Sequence, residues 1–216
     1  MFVKNKMTTN PFTISYDQTI PDAHEIMTNN GIKRLPVMKK DKLVGIVSKD
    51  DILRASPSKA TTFSIGEITY LLAKTKISQI MTKEIITISS DALLEEAATM
   101  MRDNHVSFLP VVDDGKLVGI ITESDIFDSF IDLLGFREPG TRLTIEAPDV
   151  PGIMSKLTSI ISNYGANITH VAVYRGAVGK SSVVIGMNSL NTAEIEKSLT
   201  GAGYTIIHKL QNKKDD

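Results

Sequence analysis

Gly45-Ile46-Val47-Ser48-Lys49-Asp50-Asp51-Ile52 returns 74 positions later as Gly119-Ile120-Ile121-Thr122-Glu123-Ser124-Asp125-Ile126. Each copy reads as an apolar strand that ends in a hydroxyl residue, with an Asp three residues on opening a helix. Each is preceded by Leu-Pro-Val, at Leu35-Pro36-Val37 and Leu109-Pro110-Val111. A hydroxyl and a carboxylate at a strand-to-helix turn suit the phosphate and ribose of a nucleotide. The same Ser/Thr-x-x-Asp spacing also describes a helix cap, with the hydroxyl at the N-cap and the carboxylate at N3. The two roles are compatible.

Working outward, the register holds without a gap from Met7–Leu53 to Met81–Phe127. Met7-Thr8 matches Met81-Thr82, Thr13-Ile14-Ser15 matches Thr87-Ile88-Ser89, and Lys42-Leu43-Val44 matches Lys116-Leu117-Val118. Chance does not sustain such a match, so the first half is a duplicated module. Each copy reads as a short strand (Phe12–Ser15, Ile86–Ser89), a helix (Ile20–Asn30, Leu93–Asn104) and a Leu-Pro-Val strand (Leu35–Met38, Leu109–Val112). A polar turn and a second strand then lead into the motif. In the second copy Leu93, Leu94, Ala97, Ala98 and Met101 fall at helical spacing on one face. Asn30-Gly31 suits a left-handed helix exit, which Asn104-His105 must make without glycine. Asp114-Gly115 is a hairpin signal. The second closing helix is expected over Glu123–Leu134. Between the copies, Ser56-Pro57-Ser58 breaks the chain. Thr62–Ala73 reads as a connecting helix with Ile65, Ile68, Leu71 and Leu72 as its apolar stripe.

Beyond Pro139-Gly140 the pattern changes. The order strand (Arg142–Glu146), helix (Ile153–Tyr164), strand (Ile168–Tyr174), strand (Ser182–Met187), helix (Thr192–Thr200), strand (Tyr204–Lys209) is the βαββαβ ferredoxin-like unit. The boundaries read as 1–60 for the first module, 61–76 for the connecting helix, 77–137 for the second module, 140–210 for the third domain, and 211–216 for a charged, disordered tail.

Composition narrows the function. The net charge of −1 provides no global basic field for nucleic acid or an anionic membrane. The chain has no cysteine, which excludes disulfides and thiolate chemistry. No apolar run approaches the roughly 20 residues of a membrane span, and Met1–Lys6 is too polar for a signal peptide. A cytoplasmic location is expected. His24, His105, His170 and His208 show no metal spacing. The methionines read as adaptable core filler. Gly176–Ser181 lacks the spacing and the following helix of a phosphate loop. No nucleophile, base and orienting group assemble, so an enzyme is not expected.

The duplicated pattern resembles the CBS domain, named after cystathionine β-synthase, which occurs in pairs. Asp149-Val150-Pro151-Gly152-Ile153 with Tyr164-Gly165-Ala166-Asn167-Ile168 resembles an ACT domain, a small amino-acid-sensing module. The order of domains, with Arg54-Ala55-Ser56-Pro57-Ser58 after the first copy, resembles the acetoin utilisation protein B group. The expected fold class is therefore α/β (α+β): a CBS pair plus a C-terminal ferredoxin-like βαββαβ ACT domain.

The resemblance implies adenosine-ligand clefts between the modules, with the Ser/Thr at phosphate and the Asp at both ribose hydroxyls. By position, one cleft combines Thr122 and Asp125 with Thr13, Lys33 and Arg34. The other combines Ser48 and Asp51 with Thr87, Ser107 and Phe108. A carboxylate accepting two hydroxyls makes charge-assisted bonds, and the N–H groups opening the helix favour an anion. Lys33 and Arg34 make the first cleft cationic, whereas Ser107 and Phe108 leave the second an uncharged wall. The Asp125 cleft is therefore expected to bind a phosphorylated ligand more tightly. In the ACT-like part, Asp149, Gly152 and Asn167 fall where related modules touch amino acids; the alternative is a tight strand-to-helix connection with no ligand.

The resulting expectation is a non-catalytic, homodimeric sensor without a cofactor. It takes an adenine nucleotide or related adenosyl ligand (AMP, ADP, ATP, a cyclic dinucleotide or S-adenosylmethionine) and signals to a regulated protein partner. Amino-acid sensing by the ACT domain is an additional expectation. The competing expectation is a structural adaptor with vestigial sites, tied to acetoin metabolism.

Overall fold

The computed structural model describes residues 1–55, 64–176 and 179–213, which fall into two compact units, Met1–Ile126 and Phe127–Asp216. The Ser56-Pro57-Ser58 break, the first residues of the expected connecting helix (62–63), the tip of the 175–180 turn at 177–178, and the tail end at 214–216 lie outside the described residues.

In the first unit a 3-10 turn at Val3–Asn5 leads to β1 (Thr8–Thr9), β2 (Ile14–Ser15), α1 (Ile20–Asn29), β3 (Arg34–Lys39), β4 (Lys42–Ser48) and α2 (Lys49–Ala55). After α3 (Ile65–Lys74) and α4 (Ile77–Ile80), the second copy follows as α5 (Leu94–Asp103), β5 (Phe108–Asp113), β6 (Lys116–Thr122) and α6 (Glu123–Leu133). One sheet has the order β2-β3-β4, the other β1-β6-β5. The β3–β4 and β5–β6 hairpins share one register, including an irregularity at Val37/Met38 and at Val111/Val112. The strand expected over Ile86–Ser89 is reduced to a bridge between Ile88 and Val111.

The two cores do not follow the repeat boundary. β1 pairs with β6 of the other copy (Thr8↔Ile120, Thr9↔Gly119). Val3 packs with Leu94, Ala97, Leu109 and Ile121, while Ile77 packs with Ile14, Ile20, Met27 and Leu35. The equivalent segment of the second copy reciprocates: Ile46 N–H donates to the Thr82 carbonyl (3.0 Å), and Thr82 N–H to that of Ile46 (2.8 Å). Each copy thus contributes its leading Met-Thr to the partner copy's sheet. This explains the motif glycines. A Cβ at Gly45 would lie 2.5 Å from Met81 Sδ, and one at Gly119 2.7 Å from Met7 Sδ and 2.9 Å from the Thr8 carbonyl oxygen.

Helix ends follow local chemistry. Asp22 accepts from Thr19 N–H and Oγ1, both at 2.8 Å, closing a capping box at the start of α1. Gly31 leaves α1 at φ 65°, and His105 makes the same left-handed exit from α5 at φ 54°. In α3, Leu72 packs onto the first core, whereas Leu71 is exposed, so the expected stripe is narrower there.

The second unit carries β7 (Gly140–Pro148), α7 (Ile153–Ser162), β8 (Ile168–Arg175), β9 (Lys180–Met187), α8 (Ala193–Gly201) and β10 (Thr205–Asn212). The antiparallel sheet order is β10-β7-β9-β8. Leu143, Ile145 and Ala147 of β7 face Leu157, Ile161, Ile195 and Leu199 of the helices. Fully burying each Leu or Ile among them contributes roughly 1.5–3 kcal/mol. β10 extends further than expected: Gln211 and Asn212 pair with Thr141 and Gly140 rather than opening a disordered tail. Gln211 Nε2 also donates to the Leu190 carbonyl at 2.6 Å.

Candidate functional site

Both Ser/Thr-x-x-Asp motifs close as reciprocal capping boxes. Asp51 Oδ2 accepts from Ser48 N–H (2.8 Å) and Ser48 Oγ (2.6 Å), and Asp51 N–H donates to Ser48 Oγ at 3.1 Å. Asp125 Oδ2 accepts from Thr122 N–H and Oγ1, both at 2.8 Å, and its N–H donates to Thr122 Oγ1 at 3.3 Å. The cap therefore engages one carboxylate oxygen and fixes where the other points. Asp51 is buried and Asp125 half-buried.

Two clefts open beside these motifs. The larger, about 540 Å³, is lined by Lys33, Arg34, Thr122, Asp125, Phe12 and Phe108, among others. The smaller, about 220 Å³, is lined by Arg34, Ser48, Asp51, Arg54, Glu84 and His105, together with Ser107 and Phe108. Small-molecule sites typically enclose about 300–1,000 Å³, so the Asp125 cleft has room for a nucleotide and the Asp51 cleft is cramped.

Thr122, Asp125, Lys33 and Arg34 are brought together, as are Ser48, Asp51, Ser107 and Phe108. Thr13 and Thr87 are not among the residues lining these clefts. Successive residues of an extended chain face opposite ways: Ile14 and Ile88 are buried, Thr13 and Thr87 are exposed, and the preceding Phe12 and Ile86 line the clefts instead. Thr87 faces a separate shallow groove beside Glu95 and Thr99.

The expected uncharged wall of the Asp51 cleft is also corrected. Arg34 pairs with Ser48 in the β3–β4 register, so it lines both clefts, and Arg54 and His105 add to the smaller one. Arg54 donates from its NH2 group to Asp51 Oδ1. Breaks in the repeat mark these residues in the sequence: the position matching Arg54 holds Asp128, and the position matching His105 holds Gly31.

In the second unit, Asp149 Oδ2 accepts from Arg175 Nε at 3.3 Å, and Gly152 turns into α7 at φ 83°. Asn167 lies elsewhere. Its N–H donates to Asn188 Oδ1 at 3.0 Å, beside the Ile168–Met187 pair. Asp149 sits by Gly179 at the other end of the sheet. Eight residues of β8 separate the two ends, roughly 25 Å. The three residues do not form one site within a chain.

Among the described residues, no group of His, Cys, Asp and Glu could hold a metal ion. Nor is any helix long and apolar enough to cross a membrane.

Comparison with known proteins places this architecture. The CBS domain family matches residues 3–58 and 77–132, and the ACT domain family matches 141–203. The chain belongs to the CBS domain family, as a tandem pair followed by an ACT domain. It is similar to the crystal structure of a Vibrio cholerae protein assigned to acetoin utilization, AcuB, with 32% identity and a TM-score of 0.54 over 64% of this chain and 96% of that one. It is also similar to CBSX2, solved in complex with AMP (28% identity, TM-score 0.51, 61% of this chain and 96% of that one). The CBS domain pair of protein MJ0100, solved with 5-methylthioadenosine and S-adenosyl-L-methionine, is similar at 31% identity and a TM-score of 0.50, over 60% of this chain and 99% of that one. CBS pairs are regulatory modules that bind adenosine ligands.

Proposed function

We propose that this chain is a non-catalytic regulator that takes an adenosine-containing ligand in its Asp125 cleft and passes the bound state to a partner protein. The observation that carries this is the convergence of Lys33, Arg34, Thr122 and Asp125 on a cleft of about 540 Å³. In this reading Asp125 accepts the ribose hydroxyls. Arg34 grips phosphate through its planar guanidinium fork, Lys33 adds charge, and Phe12 and Phe108 flank the base. The AMP, 5-methylthioadenosine and S-adenosyl-L-methionine bound by similar CBS pairs support a ligand of this class. Ligand shifts the regulator only as far as its affinity differs between conformations.

Assembly as a cytoplasmic homodimer completes the reading. Phe127, Phe130 and Leu133 lie exposed on α6, an apolar stripe suited to a second copy. Amino-acid sensing at the Asp149 and Gly152 turn is a further part of it. Calorimetric titration with AMP, ADP, ATP, a cyclic dinucleotide and S-adenosylmethionine is the test. At least one should bind below millimolar concentration and lose affinity in Asp125→Asn. No binding by any of them removes the proposal.

One observation favours the structural adaptor: helix capping by itself gives both Ser/Thr-x-x-Asp motifs a structural role. A thermal-shift screen separates the readings, because ligand at about 100 times its dissociation constant stabilises the folded state by about 2.7 kcal/mol. An adaptor would show no shift. Acetoin metabolism as its setting rests on the likeness to AcuB.

A further inference from the structure

Asp51 is held by its own helix. Of the roughly four acceptor positions on a carboxylate, Ser48 N–H and Ser48 Oγ occupy two on Oδ2, and Arg54 occupies one on Oδ1. A vicinal diol brings two donors, so one existing donor must leave before a ribose can dock. The two Ser48 bonds close the cap of α2 and are partly buried. The Arg54 side chain is 73% exposed, whereas that of Asp51 is 9% exposed. Arg54 is therefore the donor that rehydrates most cheaply. The matching residue of the second copy is Asp128, a carboxylate side chain in place of a guanidinium.

We infer that Arg54 is an internal occupant of the Asp51 ribose clasp, an intramolecular competitor that keeps adenosine ligands out of the smaller cleft until it swings away. This rests on the reading of Asp51 as a ribose acceptor and adds a residue that competes with the ribose for it. The competition is moderate, because an ion pair with one exposed partner contributes little. Removing it should strengthen the site about fivefold.

Adenosine is the probe, since it brings the diol without a phosphate that could itself attract Arg54. In an Asp125→Asn chain, which leaves the Asp51 cleft as the remaining clasp, adenosine affinity is measured by calorimetry with and without Arg54→Ala. The expected result is about a fivefold gain, erased when Asp51→Asn is added, with Arg54→Lys intermediate. Thermal unfolding confirms that each variant is folded. Unchanged or weaker adenosine binding in Arg54→Ala overturns the inference, as does a gain that survives Asp51→Asn. The underlying reading is judged separately, by whether AMP binding to the otherwise unaltered chain falls in Asp125→Asn.

Discussion

The two CBS copies share a hairpin register and a capping box, yet their clefts differ in size and in charge. The Asp125 cleft is the larger, with Lys33 at its rim and Gly31 at the helix exit. The Asp51 cleft is less than half its volume, with Arg54 on the carboxylate and His105 in place of glycine. Arg34 serves both, because its strand register sets it beside Ser48 while its side chain borders the other module. The lesson is that duplication preserved the scaffold while single substitutions changed what each site can accept. The difference between the clefts resides in the side chains where the repeat departs from itself, Lys33 and Arg34 against Ser107 and Phe108, His105 against Gly31 and Arg54 against Asp128, whereas the hairpin backbone is common to both.

The largest expected effect would break that comparison directly. Asp125→Asn should weaken AMP binding by about tenfold to a hundredfold, consistent with losing charge-assisted bonds. Asp51→Asn should change it by less than about threefold, within the range of an exposed polar contact. Equal losses in calorimetry would make the clefts equivalent.

The motif glycines sharpen it next. At Gly119 an added Cβ meets the Thr8 carbonyl at 2.9 Å, whereas at Gly45 the nearest backbone atom, Thr82 O, is 3.1 Å away. The Met sulfurs can move, but backbone yields less. Gly119→Ala should cost about 1–3 kcal/mol and more than Gly45→Ala, read from denaturant midpoints. The reverse order would mean that Met81, not the partner strand, sets the tolerance.

Helix caps give a smaller difference. Thr19 offers Asp22 two donors, while Leu93 offers Glu96 its N–H alone, at 2.9 Å. The Thr19 backbone N–H and then its hydroxyl hold the Asp22 carboxyl below its usual value of 3.8. A carboxyl lowered on folding contributes stability that is present above 3.8 and lost as pH falls through the lowered folded value. Asp22→Asn should therefore cost about 0.5–1 kcal/mol near neutral pH, more than Glu96→Gln, and the difference should vanish in acid. A pH series of thermal melts tests this.

The smallest effect concerns His105, which holds φ 54° where the first copy has glycine. His105→Gly should stabilise the chain by at most about 1 kcal/mol by relieving left-handed strain. A loss of stability would show that the imidazole contributes to packing at the Asp51 cleft.

Much of this was legible in the residues. The 74-residue register located both hairpins and both motifs, because apolar alternation and Leu-Pro-Val leave few other strand positions. The helices of the two copies and of the βαββαβ domain fell within about two residues of expectation, since hydroxyl and acidic residues start them and Gly31 or Asn104 ends them, whereas α3 begins three residues later than expected and α4 was not foreseen. What could not be read was which side of an extended chain faces a cleft. Thr13 and Thr87 are polar and tempting, but the core takes Ile14 and Ile88 and turns the neighbouring residues outward. Gln211 and Asn212 joined β10 because their backbone hydrogen bonds to Gly140 and Thr141 outweigh a polar composition.

Sequence alone determined that this chain is a duplicated CBS module followed by a βαββαβ domain, and that each copy carries a hydroxyl and a carboxylate at a helix start. Periodicity and capping are local, so they are written locally. Only the tertiary structure decided that Met7-Thr8 and Met81-Thr82 cross to the opposite sheet, that Arg34 borders both clefts, and that Arg54 sits on Asp51. Those contacts depend on how two distant segments meet, which no spacing within one segment encodes.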